Sequence, residues 1–290
     1  MRRMRWICAV VLVALACRGV RADEHLVDVV YGHKLGCALT FDVFKPTKPN
    51  GIGVLWMVSG GWVSNHNSIN PALAKPFTER GMTVFQVVHG SQPRFTVPEA
   101  VTDIHRAVRF IRTNAARWGV DPNRLGISGG SAGGHLSLMM AAWGAPGPVE
   151  SQDPVDRASS RPQAVACLFP PTDFLNYGKE GQVATDNAML KAYLPVFGFN
   201  DKTPREDVLK ILRELSPMCG NMKDFPPTLI IHGDADLLVP IQQSQRMADA
   251  LQKAGAIVKL EVRPAKGHGW PGMETEANLL AEWFAKYLAK

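Results

Sequence analysis

Cysteine is scarce, with five in 290 residues, and two of these, Cys8 and Cys17, fall within the first 22 positions. The other three, Cys37, Cys167 and Cys219, have no metal-ligand spacing and are too few for a disulfide scaffold. One disulfide could form and leave one thiol, and the spacing leaves the pairing open. Cys167 sits inside the apolar run 164–169 and reads as a small buried hydrophobe. Acidic residues are absent from positions 1–22, which hold five Arg. Without that segment 27 basic residues face 26 acidic ones, so the formal charge of +6 falls to +1. The charge therefore gives no case for a nucleic-acid partner, and there is neither a basic patch nor an aromatic ladder to supply one. No internal repeat is present. With 46% hydrophobic and 20% charged residues, 26 Gly and 21 Pro, the chain is neither disordered nor collagen-like.

The one long apolar run covers 6–17, preceded by Arg2, Arg3 and Arg5 and followed by Val20-Arg21-Ala22. Its 12 residues fall short of the roughly 20 that a bilayer span needs. A basic start, a short apolar core and small residues before Asp23 predict a secretory signal peptide over 1–22, with a mature chain of 268 residues that is secreted or periplasmic. No second run approaches membrane length, so no membrane span is expected after cleavage.

Strand-like runs are expected at 27–31, 37–44, 53–59, 82–88, 124–128, 164–169, 228–232 and 257–262. They alternate with helical stretches at 71–80, 98–118, 132–143, 241–254 and 274–289. Val101, Ile104 and Val108 form an apolar stripe on the second helix. Asp121-Pro122-Asn123 reads as a turn. This alternation predicts an α/β fold with a mostly parallel central sheet flanked by helices, and the two leading strands pair antiparallel at one edge. Residues 171–224 hold broken helical pieces, including 205–215, and read as a small insertion over the sheet within a single domain, 23–290.

Gly129-Gly130-Ser131-Ala132-Gly133 is a G-x-S-x-G pattern between a strand and an apolar helix. A sharp strand-to-helix turn lifts the serine hydroxyl out of the chain's path, and the Ala132 amide can then face a developing oxyanion. A serine hydroxyl needs a base to accept its proton, and the chain order for this architecture is serine, acid, histidine. Two carboxylates, Asp234 and Asp236, follow the strand at 228–232, and spacing alone does not choose between them. His268, flanked by glycines after the last strand, is the expected base, whereas His232 and His135 lie in buried contexts.

The longer stretch 121–135, Asp-Pro-Asn-Arg-Leu-Gly-Ile-Ser-Gly-Gly-Ser-Ala-Gly-Gly-His, resembles the nucleophile-elbow signature of the esterase and lipase branch of the α/β-hydrolase superfamily. The likeness is greatest to secreted members related to hormone-sensitive-lipase-type and feruloyl-esterase-like carboxylesterases, and it covers nearly all of 23–290. It implies an α/β-hydrolase fold with Ser131 as nucleophile, Asp236 as acid and His268 as base, leaving Asp234 to hold its loop. Val58-Ser59-Gly60-Gly61-Trp62 stands where such proteins carry His-Gly-Gly-Gly-Trp, which implies an oxyanion hole from the amides of Gly60, Gly61 and Ala132. Val58 and Ser59 depart from that pattern, and the missing histidine normally braces the loop. His89 is a second departure, near the place of a tyrosine. Trp62, His89, Phe95, Phe174 and Trp270 are the candidate pocket residues.

The chemistry implied is hydrolysis of short-chain or carbohydrate-linked esters through an acyl-enzyme, with no cofactor and no metal. The substrate is a small-molecule ester or an acylated polysaccharide. The alternatives are a serine peptidase or amidase of the oligopeptidase-like type, and a catalytically silent binding protein with this fold.

Overall fold

The apolar runs become strands of one sheet because helices cover both of its faces. The computed structural model describes residues 23–289, so the leader expected at 1–22 lies outside the described residues. The strands are β1 (Glu24–Lys34), β2 (Cys37–Lys45), β3 (Gly51–Met57), β4 (Thr83–Val87), β5 (Val120–Gly130), β6 (Ala164–Leu168), β7 (Thr228–Gly233) and β8 (Val258–Arg263). Across the sheet they run β1-β2-β4-β3-β5-β6-β7-β8. The β1–β2 and β2–β4 pairings are antiparallel, and every other pairing is parallel. This is the α/β-hydrolase fold, with the two leading strands at its antiparallel edge.

Successive side chains of the central strands go to opposite faces. Leu55, Phe85, Val165 and Ile230 join one core, with α2 (Val97–Thr113) and α3 (Ala132–Trp143) against it. Val54, Val84, Ala164, Leu229 and Ile231 join the other, with α1 (Pro71–Thr78) and α6 (Glu276–Tyr287). Helix α3 is buried on all sides from Ala132 to Ala142, which explains its lack of any polar face. Helix α2 opens where the Glu99 carboxylate accepts the Thr96 amide at 2.8 Å, satisfying a helix-end donor.

Two boundaries differ from expectation. The helix expected over 98–118 stops at Thr113, where the Asn114 side chain donates to Phe110 O at 2.8 Å, and a separate 3-10 turn covers Ala115–Trp118. The turn expected at 121–123 lies inside β5. Pairing with β3 skips from Val120 to Leu125, and the Asp121 carboxylate accepts the Asn123 amide at 2.9 Å in the looped-out stretch.

Residues 171–224 carry short 3-10 pieces, α4 (Arg205–Glu214) and no strand. Beneath this layer Phe174, Tyr177 and Phe197 are buried, so aromatic rings seat it on the sheet's helices. Helix α5 (Gln242–Lys253) follows β7. Cys37, Cys167 and Cys219 are all free thiols, and burial pushes Cys167 well above the usual thiol range. Among the described residues no helix is long and apolar enough to cross a membrane.

Candidate active site

The parallel strands end on one edge of the sheet, and the segments leaving β3, β5, β7 and β8 there carry Gly60, Ser131, Asp236 and His268. At the β5–α3 junction Ser131 has φ 53° and ψ −119°, a strained conformation for a residue with a side chain. The junction is tight enough that a Cβ at Gly129 would stand 2.6 Å from the backbone carbon of Gly133. Small residues at 129 and 133 are therefore what lets the chain turn here.

Ser131 Oγ lies 2.8 Å from His268 Nε2, and His268 Nδ1 lies 2.7 Å from Asp236 Oδ2. Asp236 is 5% exposed and its other oxygen accepts the amides of Leu238 and Val239, each at 2.9 Å. Burial opposes its charge, but hydrogen bonds from His232, His268 and the Val239 amide outweigh that and hold the carboxyl well below the usual carboxylate range. His232 Nε2 sits 2.8 Å from Val239 O and 3.3 Å from Asp236 Oδ2. A carbonyl can only accept, so Nε2 carries the hydrogen and Nδ1 accepts from Ser244 Oγ at 2.6 Å. Asp234 is placed differently: its carboxylate accepts the Ala265 amide at 2.6 Å and ties the β7 and β8 loops together.

The loop after β3 turns sharply, with φ 54° at Gly61 and 60° at Trp62. Two side-chain chains hold it. Trp62 Nε1–H donates to His135 Nδ1 at 3.1 Å, and His135 Nε2–H donates to Leu215 O at 2.7 Å. Ser59 Oγ lies 2.9 Å from His89 Nε2, whose Nδ1–H donates to Gly90 O at 2.7 Å. Burial lowers both histidines to about 4, so each is neutral near pH 7. Val58, in the place of the absent histidine, is simply buried.

One expectation for this loop needs correction. The Gly60 amide donates to Val63 O at 3.0 Å and closes the loop's own turn, so it is not an open donor. Among the described residues the amides of Gly61 and Trp62 have no acceptor, and Ala132, first residue of α3, has none within its helix.

A cavity of about 540 Å³ opens over Ser131 and His268. Of the expected pocket residues, Trp62 lines it, and the other four do not. Phe174 is fully buried beneath Trp62, its ring centroid 6.0 Å away. His89 is turned to Ser59, Phe95 packs under Lys34 with Nζ 4.5 Å from its centroid, and Trp270 stands 5.8 Å behind Phe169. The lining instead includes Phe169, Tyr177, Leu190, Tyr193 and Leu238. Phe169 packs edge-on against His268 at 4.7 Å, and Tyr177 donates its hydroxyl to Leu238 O at 2.8 Å. Tyr177 and Tyr193 are two of only four tyrosines, both in the 171–224 insertion, and that concentration was the available sequence signal. Phe169 carried none, because its φ of 36° and its ring contact exist only in the fold.

The BD-FAE family model matches residues 41–251, a span that includes Ser131 and Asp236 and stops before His268. The chain belongs to the BD-FAE family. It is an esterase-type member of the α/β-hydrolase superfamily. The probable carboxylic ester hydrolase LipM of Mycobacterium tuberculosis is 29% identical over 239 residues, 80% of this chain and 53% of that protein. Esterase LipQ of the same organism is 30% identical over 70% of this chain and 46% of its own length. The BD-FAE chain thus spans about half the length of these curated relatives. Among solved structures, a truncated carbohydrate esterase from gut microbiota superposes with a TM-score of 0.76 at 26% identity, covering 92% of this chain and 97% of that one. The butyrate-bound thermophilic esterase Est2 of Thermogutta terrifontis gives a TM-score of 0.68 at 25% identity, covering 91% and 94%.

Proposed function

We propose that this BD-FAE member is a serine carboxylesterase, with Ser131, His268 and Asp236 as its triad. The observation that carries this reading is the unbroken run of hydrogen bonds from Ser131 Oγ through both nitrogens of His268 to Asp236, at the floor of an open cavity. In the resting state the His268 Nδ1–H donates to Asp236, which leaves Nε2 free to accept the Ser131 proton. Oγ then attacks the ester carbonyl, and the new oxyanion takes hydrogen bonds from the amides of Ala132 and Gly61. Each such donor is worth roughly 3 to 4 kcal/mol in the transition state. As the intermediate collapses, His268 returns the proton to the departing alkoxide and the alcohol leaves. Water gives a proton to the same nitrogen, attacks the acyl-enzyme, and releases the acid while Ser131 recovers its hydrogen. No cofactor or metal enters these steps.

Short acyl groups and carbohydrate-linked esters are the proposed substrates. Supporting this are the bound butyrate in the Thermogutta terrifontis relative and the description of the gut-microbiota relative as a carbohydrate esterase. The leader at 1–22 adds export to the periplasm or beyond, as one 23–290 catalytic domain.

A panel of p-nitrophenyl esters from acetate to laurate and of acetylated and feruloylated sugars tests the reading, alongside a fluorophosphonate label. Labelling of the wild type at Ser131, turnover of the shorter esters, and loss of both in Ser131→Ala are expected. Folded protein that neither labels nor hydrolyses any ester would refute it, and faster cleavage of an aminoacyl amide would move the assignment to a peptidase.

A further inference from the structure

Outside the catalytic cavity, the antiparallel edge of the sheet gathers a second group of ligating side chains. We propose that Asp28, Asp42 and His66 form a binding site for one divalent transition-metal ion of the Zn²⁺ type. This inference does not rest on the esterase reading.

The geometry fits a shared ion. His66 Nδ1 lies 3.2 Å from Asp28 Oδ1 and 3.9 Å from Asp42 Oδ1, and the three ligand atoms all fall within 4.8 Å of one another. Two atoms each about 2.1 Å from one ion can stand at most about 4.2 Å apart, so both distances to His66 are within range. The third pair, between Asp28 and Asp42, also falls within 4.8 Å, and the Asp28 side chain is 62% exposed.

The charge also asks for a cation. The Asp42 side chain is 2% exposed, and among the described residues neither Asp28 nor Asp42 is bridged by Lys or Arg. Among the described residues, His25 and His66 are the groups that pair with them. Asp42 is thus a buried carboxylate without a lysine or arginine partner, while Asp28, 62% exposed, and His66, 45% exposed, leave the other side of the group open to solvent.

The surroundings already orient the ligands. His25 Nε2 sits 2.7 Å from Asp42 Oδ2, and the Asp28 amide donates to Asp42 Oδ1 at 3.0 Å. His25 is itself stacked on Phe44 at 4.2 Å. A ligating carboxylate held in this way by an outer partner is the usual arrangement around a bound metal. One imidazole nitrogen and two carboxylate oxygens, with solvent completing the shell, favour Zn²⁺ over Mg²⁺ and Ca²⁺, which take oxygen ligands.

The ion would tie the β1–β2 edge to the His66–Ser68 turn, and Ser68 lines the cavity over Ser131. The three ligands come from β1, β2 and the loop after β3, so no local motif announces them.

Calorimetric titration of ZnCl₂ into the untagged, EDTA-dialysed chain tests the site, with MgCl₂ and CaCl₂ in parallel. One saturable Zn²⁺ site and a thermal midpoint that rises with Zn²⁺ are expected. Binding should weaken roughly tenfold or more in His66→Ala and in Asp28→Asn, both surface changes whose folding is checked by circular dichroism. It should be unchanged in His33→Ala, an exposed histidine elsewhere on β1. No saturable Zn²⁺ heat, or equal affinity in wild type and His66→Ala, overturns the site. Equal affinity for Mg²⁺ or Ca²⁺ overturns the choice of metal.

Discussion

Ser59 Oγ and His89 Nε2, 2.9 Å apart, join two residues that each depart from the pattern this chain otherwise resembles. Position 58 holds no histidine, and the imidazole that reaches this loop comes from the end of the neighbouring strand. Because Nδ1–H is given to Gly90 O, Nε2 must accept the Ser59 hydroxyl, so the brace has one direction. The two departures therefore meet in one hydrogen bond between the ends of neighbouring strands.

A double-mutant cycle on this pair measures the brace. Ser59→Ala and His89→Ala should each lower kcat/KM, with a coupling of about 1 kcal/mol, the usual net worth of such a bond. Additive effects would mean that the contact does not hold the loop.

Trp62 keeps its left-handed backbone through its ring's burial and its N–H bond to His135. Trp62→Phe retains most of the ring but leaves His135 Nδ1 without a donor, at about 1 to 3 kcal/mol. Chemical denaturation should register that loss, and kcat should fall more than KM rises, because the Gly61 amide beside it loses its fixed position.

Tyr193 closes one side of the cavity, and a Cβ at Gly61 would stand 2.7 Å from its ring. Tyr193→Ala should extend the accepted acyl chain, raising kcat/KM for octanoate relative to acetate in the ester panel. Gly61→Ala, strained at φ 54° and pressed on that ring, should lower activity on every ester.

Acid should weaken the fold through its buried histidines before Asp236 titrates. His89 and His135 are lowered to about 4 by burial, and His105 likewise. Between the unfolded value of about 6.5 and 4, the unfolded chain binds protons that the folded chain refuses, so stability falls as pH drops through that window. Each buried histidine accounts for at most about 3 kcal/mol. Asp236 acts lower: its depressed carboxyl contributes stability that is complete above about pH 4 and is lost as pH falls further. Urea midpoints at pH 7.5, 5.5 and 4.5 should decline, with a shallower slope in His135→Gln. An unchanged slope in that variant would contradict the assignment.

Much of this architecture is legible in the amino-acid sequence. Apolar runs such as 228–232 and 164–169 read as central strands because both faces of a parallel sheet are buried, and Gly129 to Gly133 marked the sharp turn because only small residues allow it. Ser131 and His268 were legible as candidates from strand-end placement, while the preference for Asp236 over Asp234 needed the resemblance.

What the amino-acid sequence determined by itself is what depends on neighbours in the chain: the alternation of strands and helices, the elbow, and the leader-like composition of 1–22. The tertiary structure alone decided what depends on contacts across it. It turned the Gly60 amide toward Val63 and buried Phe174 under Trp62 rather than in the cavity. It brought Tyr193 over Gly61 and set Asp28, Asp42 and His66 around one point. Hydrogen bonds and packing between distant segments act over a few ångströms in space, and their partners leave no periodic trace along the chain.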